Sequence, residues 1–336
     1  MKKSVLVIMM ILLAGVFVFG AFAQKPASAA PITINYINYT PSPKALPHRR
    51  WAPLWVDKVN ERAKGELVVK YSGGPEVISQ FDQAKAVAKG VVDMALNPCS
   101  FHSSFVPGST MIRLPNMTVP EQREKGLLEW VREVYARKGL FFVGWTQPIN
   151  TGYFITVSRK PIRKKEDFKG LKLGSSPPFL PVFKALGAVG VRASLKEYYP
   201  GVERGVLDGN CITIDLYTVM AEYEVAPYVL NHPFWNCTTV TIMNLKKWKS
   251  LPDHLKKLIE QVQLEQEMAW PDIFDEENAK MVKKSKAAGA KYIKLSPEDE
   301  KWFRDATYYA GWEYDKSRTP PDIYNRFKEL YGFEER

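Results

Sequence analysis

Residues 167–209, DFKGLKLGSSPPFLPVFKALGAVGVRASLKEYYPGVERGVLDG, place strand, helix, strand and helix signals in immediate succession. No other stretch limits the possible folds as tightly. Leu171 and Leu173 alternate in a short strand, and Gly174-Ser175-Ser176 turns the chain. Pro178 stands where a first helical residue tolerates proline, and Gly187 where a helix stops. Val189 and Val191 alternate in a second strand, and Ser194 with Glu197 matches a capping box at a helix start. Open α/β sheets hold ligands at the carboxyl ends of their parallel strands. Gly174, Ser175, Ser176 and Asn210 are therefore candidate pocket residues.

The first half repeats the same rhythm. Ile32, Ile34 and Tyr36 alternate as a strand does, and Trp51, Trp55, Val59 and Ala63 recur every four residues up to Gly65. Leu67 and Val69 start a strand; Phe81, Ala84, Val87 and Ala88 mark a helix stopped by Gly90; residues 91–96 form an apolar strand. A further helix carries Leu127, Val131, Val134 and Tyr135. Extended runs at 140–146 and 153–158 are separated by Gln147-Pro148-Ile149-Asn150, a polar break suited to a crossing between lobes. A second apolar run at 240–243 follows Asn236-Cys237 and is expected to lead back. The expected organisation is a signal segment over 1–23, a first lobe of 31–150 plus 240–277, and a second of 151–239 plus 278–336. Beyond Ser250 the chain reads as helix, with Leu255, Leu258, Ile259 and Val262 on one face and a kink or break expected at Pro271.

Lys2 and Lys3 precede an apolar run that ends in two small-residue patterns, Ala21-Phe22-Ala23 and Ala27-Ser28-Ala29. This is the layout of an export signal cleaved near Ala23 or Ala29, with an uncleaved membrane anchor as the alternative. The mature chain of about 310 residues exceeds what one core usually serves, so two lobes are expected. The formal charge of +11 falls to +9 once Lys2 and Lys3 leave. In an exported protein this excess suggests attraction to anionic solutes or to a membrane-side partner rather than nucleic acid, but basic residues are interleaved with acids, so it carries little functional weight. Cys99, Cys211 and Cys237 are too few for a disulfide scaffold; they read as isolated thiols, with Cys211–Cys237 as the one pairing to consider.

Several pieces together resemble the extracytoplasmic solute-binding proteins of tripartite ATP-independent periplasmic (TRAP) transporters. They are residues 65–90 (GELVVKYSGGPEVISQFDQAKAVAKG), 167–173 (DFKGLKL), Ala185-Leu186-Gly187-Ala188 and 203–209 (ERGVLDG), and the resemblance covers nearly all of the mature chain. Met243-Asn244, Trp248 and Leu251-Pro252 also fit. The resemblance implies an α/β fold of two lobes with mixed, mostly parallel sheets and a long kinked helix spanning both. It implies a periplasmic monomer that captures a small organic acid and passes it to TRAP membrane permease subunits, touching the membrane only through them and using no cofactor. Docking on a membrane sensor, or an exported enzyme, are the alternative classes.

This chain departs from the resemblance at the positions that recognise the solute. Carboxylate-binding members usually place an arginine after the Lys-Leu of KGLKL, where a guanidinium makes two charge-assisted bonds; here stands Gly174. A second basic position matches Tyr153-Phe154, and Asn210 directly follows Asp-Gly. The expected pocket is therefore more apolar or aromatic, its polar contacts made by Ser175, Ser176, Asn210 or backbone N–H groups. Arg49 or Arg50 from the other lobe is the expected substitute for the missing charge. Trp145, Tyr153, Phe154, Phe234 and Trp235 fall at strand ends or crossings, where they either stack on a ligand or pack in the core. Glu76, after the Gly73-Gly74 turn, either accepts a ligand donor or favours the next helix's N-terminus, and Asn97 is a weaker candidate. The histidines His48, His102, His232 and His254 lack metal-ligand spacing, and no nucleophile elbow or phosphate loop occurs, so no enzyme is expected.

Overall fold

A computed structural model describes residues 30–40, 51–114, 117–146, 154–236 and 238–335. The alternating residues Ile32–Asn38 form β1, which runs parallel to β2 (Leu67–Tyr71) and β3 (Met94–Pro98). Between β1 and β2, a π-helical turn at Pro53–Asp57 leads into α1 (Lys58–Arg62), burying Trp51, Trp55 and Val59 at the four-residue spacing read from the sequence. α2 (Gln83–Lys89) joins β2 to β3 and stops at Gly90, whose φ of +75° is left-handed and costs glycine little. α3 (Val119–Glu124) and α4 (Leu127–Ala136) then precede β4 (Leu140–Trp145). The sheet order is β2-β1-β3-β10-β4, with β10 (Thr239–Asn244) antiparallel between β3 and β4. The chain thus leaves the first lobe after β4 and returns to it at β10.

The second lobe is built on β5 (Phe154–Ser158), β6 (Lys172–Ser175), β7 (Val189–Arg192), β8 (Gly209–Thr213), β9 (Tyr228–Trp235) and β11 (Lys291–Ile293), in the order β11-β9-β5-β8-β6-β7. α5 (Leu180–Ala185) connects β6 to the parallel β7, and α6 (Leu195–Glu203) connects β7 to β8. The capping pair forms as the sequence implies: Glu197 accepts the Ser194 hydroxyl and, at 2.7 Å, the Ser194 backbone N–H, and these bonds hold the Glu197 carboxyl below its ordinary range. α7 (Ile214–Val219) follows β8. The expected crossing at Gln147–Asn150 and the Cys211–Cys237 pairing lie outside the described residues, because 147–153 and Cys237 do.

After α8 (Leu245–Ser250), α9 (Asp253–Ala287) runs for 35 residues, about 50 Å at 1.5 Å per residue. Its first part buries Leu255, Ile259, Val262 and Trp270 in the first lobe, and Met281 and Val282 pack against the second. Pro271 lacks the N–H that would reach the Glu267 carbonyl, yet the helix continues through it rather than breaking. The C-terminal assignment needs correction. α10 (Pro297–Lys316) begins on the second lobe's core with Phe303 and ends in the first lobe's core with Trp312. α11 (Pro321–Tyr331) buries Ile323, Tyr324 and Phe327 in that first core, where Phe333 stacks on Trp312 at 3.9 Å. The segment 278–336 therefore does not belong to the second lobe alone. Position in the chain alone does not say which lobe a C-terminal helix covers.

Candidate ligand-binding cleft

The carboxyl ends of both sheets face one cleft of about 530 Å³. The first lobe lines it with Tyr39, with residues 98–101 after β3, and with Thr110 and Arg113. The second supplies Phe154, Phe179, Tyr198 and Leu216, and Trp235 stands where the chain crosses back. Aromatic rings line both walls. Phe154 and Phe179 lie 4.8 Å apart, Phe179 and Trp235 4.9 Å, and on the facing wall Tyr39 and Phe101 6.1 Å.

Arg113 is the single lysine or arginine among the described residues that line this cleft. It ends a 3-10 turn, Ser109–Arg113, and is 5% exposed. Its Nη1 donates to Asp315 Oδ2 at 2.6 Å and to the Thr110 carbonyl, while Thr110 Oγ1 donates to Asp315 Oδ1 at 2.6 Å. The guanidinium carbon sits 4.1 Å over the Trp235 ring. Its Nε and Nη2 have no hydrogen-bond partner among the described residues. Nothing in the sequence marked this arginine, because the aspartate that orients it lies 202 positions further on.

Of the residues singled out from sequence, the structure brings Phe154, Ser176 and Trp235 to the cleft. Gly174 is not on its wall: it is buried, and a Cβ there would stand 2.7 Å from Leu207 Cδ1 and 3.5 Å from the Tyr198 ring. Leu207 and Tyr198 fill the space that an arginine side chain would need. Ser175 is buried beneath the surface of the cleft. Asn210 is also buried, and its Nδ2 donates to Glu222 Oε2 at 2.6 Å instead of facing a ligand. Glu76 is exposed, is not among the residues lining the cleft, and accepts the Gly74 N–H at 2.6 Å, closing its own loop. Asn97 supports the first lobe from within. It bonds Gln83 and His102, and burial pushes the His102 imidazole down to about 3, so His102 is neutral there. Arg49, Arg50 and Tyr153 lie outside the described residues.

The profile of the bacterial extracellular solute-binding protein family 7 matches residues 38–314. The chain belongs to this family. Its relatives include the 2,3-diketo-L-gulonate-binding periplasmic protein YiaO of Escherichia coli, 24% identical over 298 residues that cover 86% of this chain and 89% of YiaO. A TRAP periplasmic solute-binding protein of Ochrobactrum anthropi, with its C-terminus bound in its ligand pocket, shares the fold at a TM-score of 0.77 and 22% identity, over 90% of this chain and 95% of that one. Another, from Desulfovibrio salexigens with bound orotic acid, gives a TM-score of 0.72 at 20% identity, over 89% and 98%. This is accordingly a TRAP solute-binding protein with a two-lobed α/β fold, a binding protein and not an enzyme. Proteins of the family are periplasmic and work with a TRAP membrane permease.

In this family 7 protein, the exit from the first lobe is tied to the long helix by a buried polar cluster. Glu267 Oε1 accepts the Trp145 N–H at 3.0 Å and a Gln263 Nε2 bond at 2.9 Å, and Arg123 Nη2 reaches Oε2 at 2.6 Å. Gln263 and Gln266 donate to the carbonyls of Trp145 and Thr146 at 2.8 and 3.1 Å. Burial pushes the Glu267 carboxyl up, against the pull of Arg123. A Cβ at Gly144 would fall on Glu267 Oε1 and Gln263 Nε2, so any larger residue must displace these buried, hydrogen-bonded ends. The last residues of β4 are thereby fixed before the chain crosses.

Proposed function

We propose that this protein captures a small organic acid with an aromatic or branched apolar body and delivers it, in a closed two-lobed form, to TRAP permease subunits. The observation that carries this reading is the composition of the cleft: aromatic side chains on both walls and, among the described lining residues, one guanidinium. Large apolar surface with a few placed polar groups is the usual build of a small-molecule site. A relative of the same fold holds orotic acid, a planar carboxylate, which supports the reading. One chain supplies both walls, so the unit proposed is a monomer, and no cofactor or nucleic acid is needed. Export by cleavage near Ala23 or Ala29 completes the proposal; N-terminal sequencing of the mature protein tests it.

Closure over the ligand is a rigid-body movement of the lobes about their crossings. The cleft reading is tested by thermal shift against a panel of acids, since a ligand bound only to the folded form stabilises it by about 2.7 kcal/mol at a hundred times its Kd. Aromatic or branched acids are expected to raise Tm more than succinate does. Greater stabilisation by succinate or malate removes the apolar character from the reading.

A further inference from the structure

We propose that Arg113 receives the carboxylate of the ligand and that its ion pair with Asp315 restricts that ligand to a single negative charge. The proposal rests on the organic-acid reading of the cleft. A guanidinium has five N–H donors, and those of one nitrogen, Nη1, are taken by Asp315 and the Thr110 carbonyl. Nε and Nη2 form the edge that makes two parallel bonds to a carboxylate, and both lack a partner among the described residues. Donors buried without partners destabilise the protein until an acceptor arrives. Asp315 and Thr110 fix the plane of the group, so little side-chain freedom remains to be lost on binding.

The neighbours set what else the ligand carries. Trp235 covers the guanidinium from the cleft wall, so entry of a carboxylate moves the indole and leaves the body of the acid beside its ring. Both nitrogens are shielded from solvent by this packing, where charge-assisted bonds are strongest. The charge of Arg113 is already opposed by Asp315 at 2.6 Å, and Asp215 stands on the cleft wall contributed by the second lobe. A second carboxylate would meet no cationic side chain among the described lining residues and would face Asp215. The acid is thus held from the lobe opposite Gly174, where Leu207 and Tyr198 leave no room for an arginine.

The test uses the mature protein, stripped of bound solute by unfolding and refolding. It is incubated with an equimolar mixture of benzoate, phenylacetate, 4-methyl-2-oxopentanoate, succinate, phenylsuccinate and phenylacetamide. Free solute is removed by gel filtration and the retained compounds are quantified by mass spectrometry. Monocarboxylates are expected to exceed dicarboxylates by about tenfold or more, the scale of one charge-assisted hydrogen bond. Arg113→Lys keeps a charge opposite Asp315 but lacks the two-donor edge, and its retention of acids is expected to fall by a similar factor with Tm preserved. Asp315→Asn keeps the side-chain shape and should raise the dicarboxylate share. Preference of the unaltered protein for dicarboxylates, or undiminished retention by a folded Arg113→Lys protein, overturns the role of Arg113 while leaving the organic-acid reading intact. Retention of phenylacetamide alone, or of nothing, overturns both.

Discussion

Replacing Glu222 with Gln probes the buried layer beneath the cleft floor. Glu222 follows α7, is fully buried, and accepts the Asn210 Nδ2 bond at 2.6 Å. Burial pushes its carboxyl from 4.5 up to about 7, and the Asn210 bond only partly opposes this. An acid raised in the folded state binds more protons folded than unfolded between those two values. Its contribution to stability is therefore present at low pH and is lost as pH rises from 4.5 to about 7. At about 1.4 kcal/mol per pH unit, the interval corresponds to about 3 kcal/mol. Gln keeps a carbonyl acceptor for Asn210 and cannot ionise. Urea unfolding at pH 5 and pH 8 should show the unaltered protein losing about 2–3 kcal/mol relative to Glu222→Gln over that range. Parallel stability profiles for the two proteins would refute the assignment of a high-pKa carboxyl to this site.

Three further substitutions follow from the packing. Gly144→Ala places a methyl on Glu267 Oε1 and Gln263 Nε2 and should cost about 3 kcal/mol, read as a lowered urea midpoint; an unchanged midpoint would mean that the polar cluster at the crossing is loose. Gly174→Arg should destabilise rather than retune the protein, because its side chain must displace Leu207 and Tyr198; a folded variant with normal Tm and higher affinity for succinate would show that the space opens readily. Trp235→Ala removes a ring packed on Phe179 and Arg113 and should lower stability by about 3–5 kcal/mol without ligand; a loss below about 1 kcal/mol would place Trp235 outside the core.

The legible parts of the fold were those written in local pattern. Gly90 ends α2 as expected because only glycine adopts φ +75° there without strain, and Glu197 caps α6 because the capping pair is three residues apart. The alternation of Ile32, Ile34 and Tyr36 specified β1 but not its neighbours. That β10 inserts between β3 and β4 depends on a pairing between segments about a hundred residues apart. At the cleft, Phe154, Ser176 and Trp235 could be named from their positions at strand ends. Gly174 and Asn210 were named on the same grounds, yet they face Leu207 and Glu222. Position at a strand end does not say which face of the sheet a side chain leaves from.

The sequence by itself indicated two α/β lobes from periodicity and caps, and showed glycine rather than arginine at position 174. The long helix through Pro271 was implied by the family resemblance, because the local pattern also allowed a break there. Only the tertiary structure decided that Arg113 lines the cleft and where the C-terminal helices pack. Arg113 becomes a cleft residue through Asp315, Thr110 and Trp235, and Trp312 and Phe327 join the first lobe's core from the far end of the chain. The physical reason is the same in both cases: a charge needs a partner and an apolar face needs a cover, and either requirement is met by whatever residue the folded chain brings near.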